Sequence, residues 1–237
     1  MKKVLIVGAS SGMGRALALE YARRGCRVGL TGRREGLLQE IQRQYPEQVL
    51  YSAFDVTEAG ATGKLEQLVD RLGGLDLLII SAGRGSVNPE LDPDTEDSIN
   101  NLNVRAFCRT AVFGFRYFQQ QGHGQLAAIT SLAALRGNRE APAYGATKAY
   151  QTHYLEGLRQ RARKLHLPVT VTDIRPGFVD NADTEGVRRF WSVPLEKAGR
   201  QLFRAIEKKR KIVYVSRRWT LVALLLKVMP RFIYDRL

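Results

Sequence analysis

The stretch that most constrains this chain is its beginning. Residues 4–7 read VLIV, followed by GASSGMG and then RALALEYARRG. Four consecutive apolar residues suit a strand buried on both faces, as in a parallel sheet. Leu17, Leu19, Tyr21 and Ala22 suit a helix, and Gly25 suits its end. Between strand and helix, Gly8, Gly12 and Gly14 form G-x-x-x-G-x-G. Glycine lets the backbone turn sharply and lets a ligand come close to main-chain atoms. A helix that starts there offers unpaired N–H groups and a partial positive charge to an anion. Strand, glycine turn and helix in that order predict a pyrophosphate cradle. Ser10, Ser11 and Met13 lie within the same turn and join it as candidate cofactor contacts.

The alternation then continues. Apolar runs end near Thr31, Phe54, Ile80 and Thr130, another precedes Pro176, and IVYV follows late in the chain. Helical segments separate them. This predicts an α/β, three-layer doubly wound Rossmann fold with a predominantly parallel seven-stranded sheet. After Thr31 come Gly32, Arg33 and Arg34, with no acid until Glu35. An acid at this place would take the ribose 2′-hydroxyl of NAD, whereas a guanidinium suits a 2′-phosphate. NADP(H) is therefore favoured over NAD(H), with Arg33 as the phosphate contact and Arg34 as a solvated helix residue.

Asp55 and Val56 stand where the third run turns away, and Asp55 reads equally as an acceptor for an adenine amino group or as a helix N-cap. Ser81-Ala82-Gly83 are small enough to let the chain pass close to a cofactor. Residues 84–98 read as a loop or a short helix, and residues 99–122 as one long helix. Its Leu102, Phe107, Val112, Phe115 and Phe118 exceed what one core face needs, which predicts an apolar surface for a second subunit, in a homodimer or homotetramer. Asn103, a poor interior helix former, reads equally as structural or catalytic.

Residues 131–148 carry the chemistry. Tyr144 and Lys148 are four apart in a helical segment, on one face. Free tyrosine titrates near ~10, and a neighbouring cation lowers that value. Ser131 follows the apolar run LAAIT, so its hydroxyl stands at a strand end where it can bond a substrate oxygen. Pro176-Gly177 break the sixth strand on the same side, with Val179 just beyond. Residues 178–193, with Phe190 and Trp191, read as a lid over a pocket.

Taken together, residues 3–215 resemble the classical short-chain dehydrogenase/reductase family. The ordered set is Gly8-x-x-x-Gly12-x-Gly14, Asp55-Val56, Ser81-Ala82-Gly83, Asn103-Val104, Ser131, Tyr144-x-x-x-Lys148 and Pro176-Gly177. The resemblance implies that Tyr144 protonates a carbonyl oxygen, or takes the proton in reverse. It implies that Lys148 holds the nicotinamide ribose and lowers the Tyr144 pKa, and that Ser131 orients the carbonyl. Asn103 would hold a water linking Lys148 to solvent. The chain departs from the family at Ser81, where asparagine is usual, and at Ala106, where glycine is common. It also lacks the threonine after Pro-Gly, with Asn181 standing near that place. The implied activity is hydride transfer to or from a small-molecule carbonyl or alcohol; Arg33 makes the expected cofactor NADPH, and the aromatic and aliphatic residues around the lid at 178–193 and the tail suggest a small to medium, lipophilic substrate. A lyase or epimerase on the same tyrosine, and a cofactor-binding sensor or scaffold, are the rival readings.

Composition supports one domain: 237 residues, 44% hydrophobic, with no linker or repeat. Cys26 and Cys108 lack metal spacing and suit reduced thiols in a cytoplasmic protein. His123, His153 and His166 are scattered, and no metal site is expected. No run reaches the about 20 apolar residues of a membrane span. The net charge of +14 is uneven, because residues 197–237 hold twelve Lys/Arg against Glu207 and Asp235, a net +10. The basic, apolar tail over residues 217–237 has three readings. It packs on the domain or a sister subunit, it makes peripheral contact with the inner face of an anionic membrane, or it binds nucleic acid. Its lack of polar base-reading residues argues against the last. Trp219, Leu221, Val222, Leu224, Leu225 and Leu226 would supply the apolar membrane contact.

Overall fold

A computed structural model describes residues 1–180, 191–216 and 218–236. Seven strands form one sheet in the order β3-β2-β1-β4-β5-β6-β7, every neighbouring pair parallel. They are β1 (Lys3–Val7), β2 (Arg27–Gly32), β3 (Val49–Ala53), β4 (Leu77–Ile80), β5 (Gly124–Ile129), β6 (Val169–Pro176) and β7 (Ile212–Val215). Helices α1 (Gly12–Ala22), α2 (Glu35–Gln44) and α7 (Leu195–Glu207) cover one face. Helices α3 (Ala61–Leu72), α5 (Phe107–Gln121) and α6 (Pro142–Lys164) cover the other. Alternate residues of β1 serve the two cores: Val4 and Ile6 one, Leu5 and Val7 the other. Strands buried on both faces must be apolar throughout, which is why VLIV and LLII read as unbroken runs.

Strand order reverses between β1 and β4. In such sheets the crevice beyond the carboxyl ends at the reversal is the ligand side. Gly8, Ser81, Ser131 and Gly177, each just beyond its strand, all reach that edge.

The long helix expected over residues 99–122 is divided. Helix α4 (Pro93–Asn100) is capped by Asp92, whose carboxylate accepts the Thr95 N–H at 2.9 Å. A π-helical turn, Asn101–Ala106, then leads into α5. Its apolar residues also differ from expectation. Phe107, Phe115 and Phe118 are core, and of the five only Val112 is exposed. The reason is the close seat of α5 on the sheet, where a Cβ at Gly114 would lie 2.2 Å from Leu78 Cδ2.

The chain closes with α8 (Arg218–Val228) and α9 (Arg231–Tyr234). Trp219, Val222 and Leu226 turn inward, as the reading of a tail packed on the domain requires and not as outward membrane contacts. Most of the expected lid, residues 181–190 with Asn181 and Phe190, lies outside the described residues. Its two ends meet in a parallel bridge between Val179 and Val193.

Candidate active site

The glycine turn floors a cleft of about 340 Å³. Gly8 has φ +89°, and a Cβ there would lie 2.4 Å from Ala82 N. A Cβ on Gly14 would lie 2.0 Å from Gly8 O, so Gly14 seats α1 against β1. Gly12, at φ +54°, opens α1 with no side chain bonded across its N-cap at Ser11. The unpaired N–H groups and dipole of that first turn suit an anion. Ser10, Ser11 and Met13 line the cleft, as do Ser81, Ala82 and Gly83 on the β4 side. Asp55 and Val56 form its far wall with Arg33 and Arg34. The residues present therefore fit a dinucleotide.

Asp55 is not a helix N-cap, because α3 begins after Gly60. Its carboxylate closes a turn by accepting Thr57 N–H at 2.9 Å and Thr57 Oγ1–H at 2.8 Å, and it pairs with Arg33 at 3.8 Å. Burial raises its pKa, but the Thr57 bonds and Arg33 outweigh that and hold it below the ordinary value. The other guanidinium, Arg34, donates to Ser10 Oγ at 3.3 Å and to Ser11 Oγ. Arg34 is exposed, as expected, and also reaches across the mouth of the glycine turn.

A second pocket, about 400 Å³, lies beside the first, and Met13 lines both. Ser131 and Tyr144 stand on its wall, with Pro176, Gly177 and Val179. The last three line this pocket, not the glycine-turn cleft. Ser131 caps a short 3₁₀ turn, accepting Ala133 N–H at 3.1 Å, and its hydroxyl is near enough to Tyr144 to act on the phenol's pKa. Burial raises the Tyr144 pKa, and the Ser131 hydroxyl only partly offsets this. The dominant shift is thus opposite to the lowering expected from Lys148, and Tyr144 is a protonated phenol at neutral pH. Lys148 Nζ lies 5.8 Å from the Tyr144 ring centroid.

Lys148 is buried and donates to Ile129 O at 3.1 Å and Gln151 Oε1 at 3.0 Å. Burial pushes its pKa down to about 8, against the opposing pull of Asp173. Asn103 sits in the π turn with three hydrogen bonds on its side-chain amide. It donates to Arg84 O at 2.8 Å and Thr147 Oγ1 at 3.0 Å, and accepts Arg84 N–H at 2.9 Å. Its main-chain carbonyl accepts Gln151 Nε2–H at 2.8 Å. Asn103 is therefore joined to Lys148 through the Gln151 amide. Gly83 brings the β4 loop onto this group, since a Cβ there would be 3.2 Å from Lys148 Nζ.

A model of the short chain dehydrogenase family matches residues 2–190. This chain belongs to that family. It is 37% identical over 184 residues to an uncharacterized oxidoreductase of Myxococcus xanthus, a match covering 75% of this chain and 72% of that protein. One from Staphylococcus epidermidis is 29% identical over 188 residues, covering 78% and 81%. A solved structure of a 7beta-hydroxysteroid dehydrogenase has TM-score 0.84 at 20% identity, over 99% of this chain and 95% of that one. The 3-ketoacyl-(acyl-carrier-protein) reductase of Brucella melitensis, complexed with NADH, has TM-score 0.80 at 20% identity, over 90% and 96%. At such identity the structural likeness shows the fold alone. The family is one of oxidoreductases that use NAD(H) or NADP(H), and this chain is an oxidoreductase of that family.

Two parts of this dehydrogenase's site were not expected from sequence. Gln151 is one, although its place three residues after Lys148 puts it on the same helix face. The other is the set of tail residues that reach it, although the tail's apolar content already hints at a lipophilic substrate. Trp219, Val222, Leu226 and Tyr234 wall the pocket that holds Ser131 and Tyr144. Arg136 anchors them, donating to Leu226 O at 2.7 Å and to Met229 O at the end of α8, where a cation suits the helix dipole. No spacing rule links residue 136 to residue 226.

Proposed function

We propose that this chain is an NADPH-dependent carbonyl reductase acting on a lipophilic ketone or aldehyde, or on the matching alcohol in reverse. One observation carries the reading. Tyr144 and Ser131 line one pocket, and that pocket adjoins the glycine-turn cleft through Met13. The nicotinamide, when bound, supplies the hydride. The chain's own residues do the rest. The first turn of α1 would hold the pyrophosphate, and Arg33 with Arg34 would take the 2′-phosphate. Lys148 would hold the ribose, fixed in direction by Ile129 O and Gln151. Ser131 would donate to the substrate oxygen and orient it. Tyr144, kept protonated by burial, would then give its proton to that oxygen as negative charge develops there. Gln151 is a positioning residue, acting through Lys148.

Phe178, Val179, Trp219, Val222 and Leu226 line the pocket, which supports a lipophilic substrate. The test is to mix the protein with NADPH and a panel of aliphatic, aromatic and alicyclic carbonyls and follow nicotinamide absorbance. Turnover of the apolar members is expected. NADPH binding with no turnover in either direction would refute the reading and favour a cofactor-binding sensor.

A further inference from the structure

Helix α8 is apolar on two sides. Trp219, Val222, Ala223 and Leu226, at helical spacing, face the protein, and Trp219 and Ala223 are buried. The opposite side carries Leu221, Leu224, Leu225 and Val228, exposed by 71%, 59%, 56% and 68%. In α9, Phe232 and Ile233 continue this surface at 67% and 43% exposed. Six large exposed apolar side chains within residues 221–233 are a patch, not scattered surface residues. A helix apolar all round is normally covered all round, and the described chain covers only one side of this one.

The rim of the patch identifies what covers the other. Arg218, Lys227, Arg231 and Arg236 are exposed around it, and Asp235 is the single acid between residues 218 and 236. A second copy of the chain would set these cations against their equals. A layer of anionic headgroups neutralises them while the leucines and Phe232 enter the acyl boundary. The helix pair is also held from within, by Arg136 on Leu226 O and by Tyr234 Oη on Gly137 O at 2.6 Å, so its outer side is presented as a fixed surface. Among the described residues no helix is long and apolar enough to cross a membrane, so the contact lies on the surface.

We propose that α8 and α9 dock this protein on an anionic lipid surface. The reductase reading adds a consequence that rests on it. The inner side of the same helix walls the Ser131–Tyr144 pocket, so a bilayer-dissolved carbonyl compound has one helix between its source and its site.

The test is flotation of the full chain with vesicles of phosphatidylglycerol and phosphatidylcholine, or of phosphatidylcholine alone. Binding to the anionic vesicles alone is expected, weakening as salt rises. Lys227→Gln and Arg231→Gln should each weaken partition about fivefold. Leu224→Ser with Leu225→Ser should abolish it, while the melting curve and NADPH affinity stay as in the wild type. Failure to float with anionic vesicles, or equal binding to both kinds, overturns the proposal. So does a dimer in sedimentation equilibrium that Leu224→Ser with Leu225→Ser dissociates, which would give the surface to a second copy. None of these results bears on NADPH turnover in solution, so the two readings fail separately.

Discussion

The glycine-turn cleft is floored by a local strand–turn–helix unit, and the pocket beside it is walled in part by side chains of the distant tail. In the cleft, the space a Cβ would need at Gly14 is taken by Gly8 O, six residues away. In the pocket, the space a Cβ would need at Gly177 is taken by the Trp219 indole, forty-two residues on, at 2.2 Å. The first arrangement is local and repeats wherever the strand–turn–helix unit folds. The second exists only once the tail has docked on the body. In the proposed reductase, the cleft would hold the dinucleotide and the tail-walled pocket would select the substrate.

Two glycine variants put that contrast under strain. Gly14→Ala forces a methyl into the Gly8 carbonyl, and overpacking of this kind should destabilise the fold by about 3 kcal/mol, read by denaturant unfolding. Gly177→Ala should displace Trp219, raise KM for lipophilic carbonyls and leave NADPH affinity unchanged. Equal loss of NADPH binding in both would break the separation of cleft from pocket.

Within the cleft, Arg34→Ala and Arg33→Asp should each weaken NADPH by about tenfold, the size of a lost charge-assisted bond, with little change for NADH. Titration of both cofactors into each variant reads this. Parallel loss of both cofactors would contradict a 2′-phosphate role.

The smallest effect is on pH dependence. Lys148 titrates near about 8 in the folded chain against an ordinary 10.5. Between those values the unfolded chain binds the extra proton, so stability rises with pH. The unfolding free energy of the wild type relative to Lys148→Met should therefore increase from about pH 8 to 10.5. A difference that stays flat across this window would mean Lys148 is not desolvated.

Much of this was legible in the sequence, for physical reasons that differ from residue to residue. The strands were legible because burial on both faces demands unbroken apolar runs. Ser131, Tyr144 and Lys148 were legible because a strand end and one helix turn fix their relations locally. Asn103 was legible as unusual, but its partner Gln151 was not, because a glutamine on a helix carries no mark of what it bonds. Arg33 was read as the phosphate contact and Arg34 as a solvated residue. Spacing does not tell which of two consecutive side chains leaving a strand turns back over the glycine loop, and here Arg34 does. The tail's composition showed that it was apolar and basic. Which side of α8 faces inward depends on Arg136 and Gly177, and neither is near it in the chain.

The account turns on Tyr144 as the proton donor of a carbonyl reductase, and one substitution tests it. Tyr144→Phe removes the hydroxyl and keeps the ring. With the best carbonyl of the panel, NADPH oxidation should fall by about 10²- to 10⁴-fold while NADPH affinity stays at the wild-type value. Turnover that survives the substitution would contradict the account.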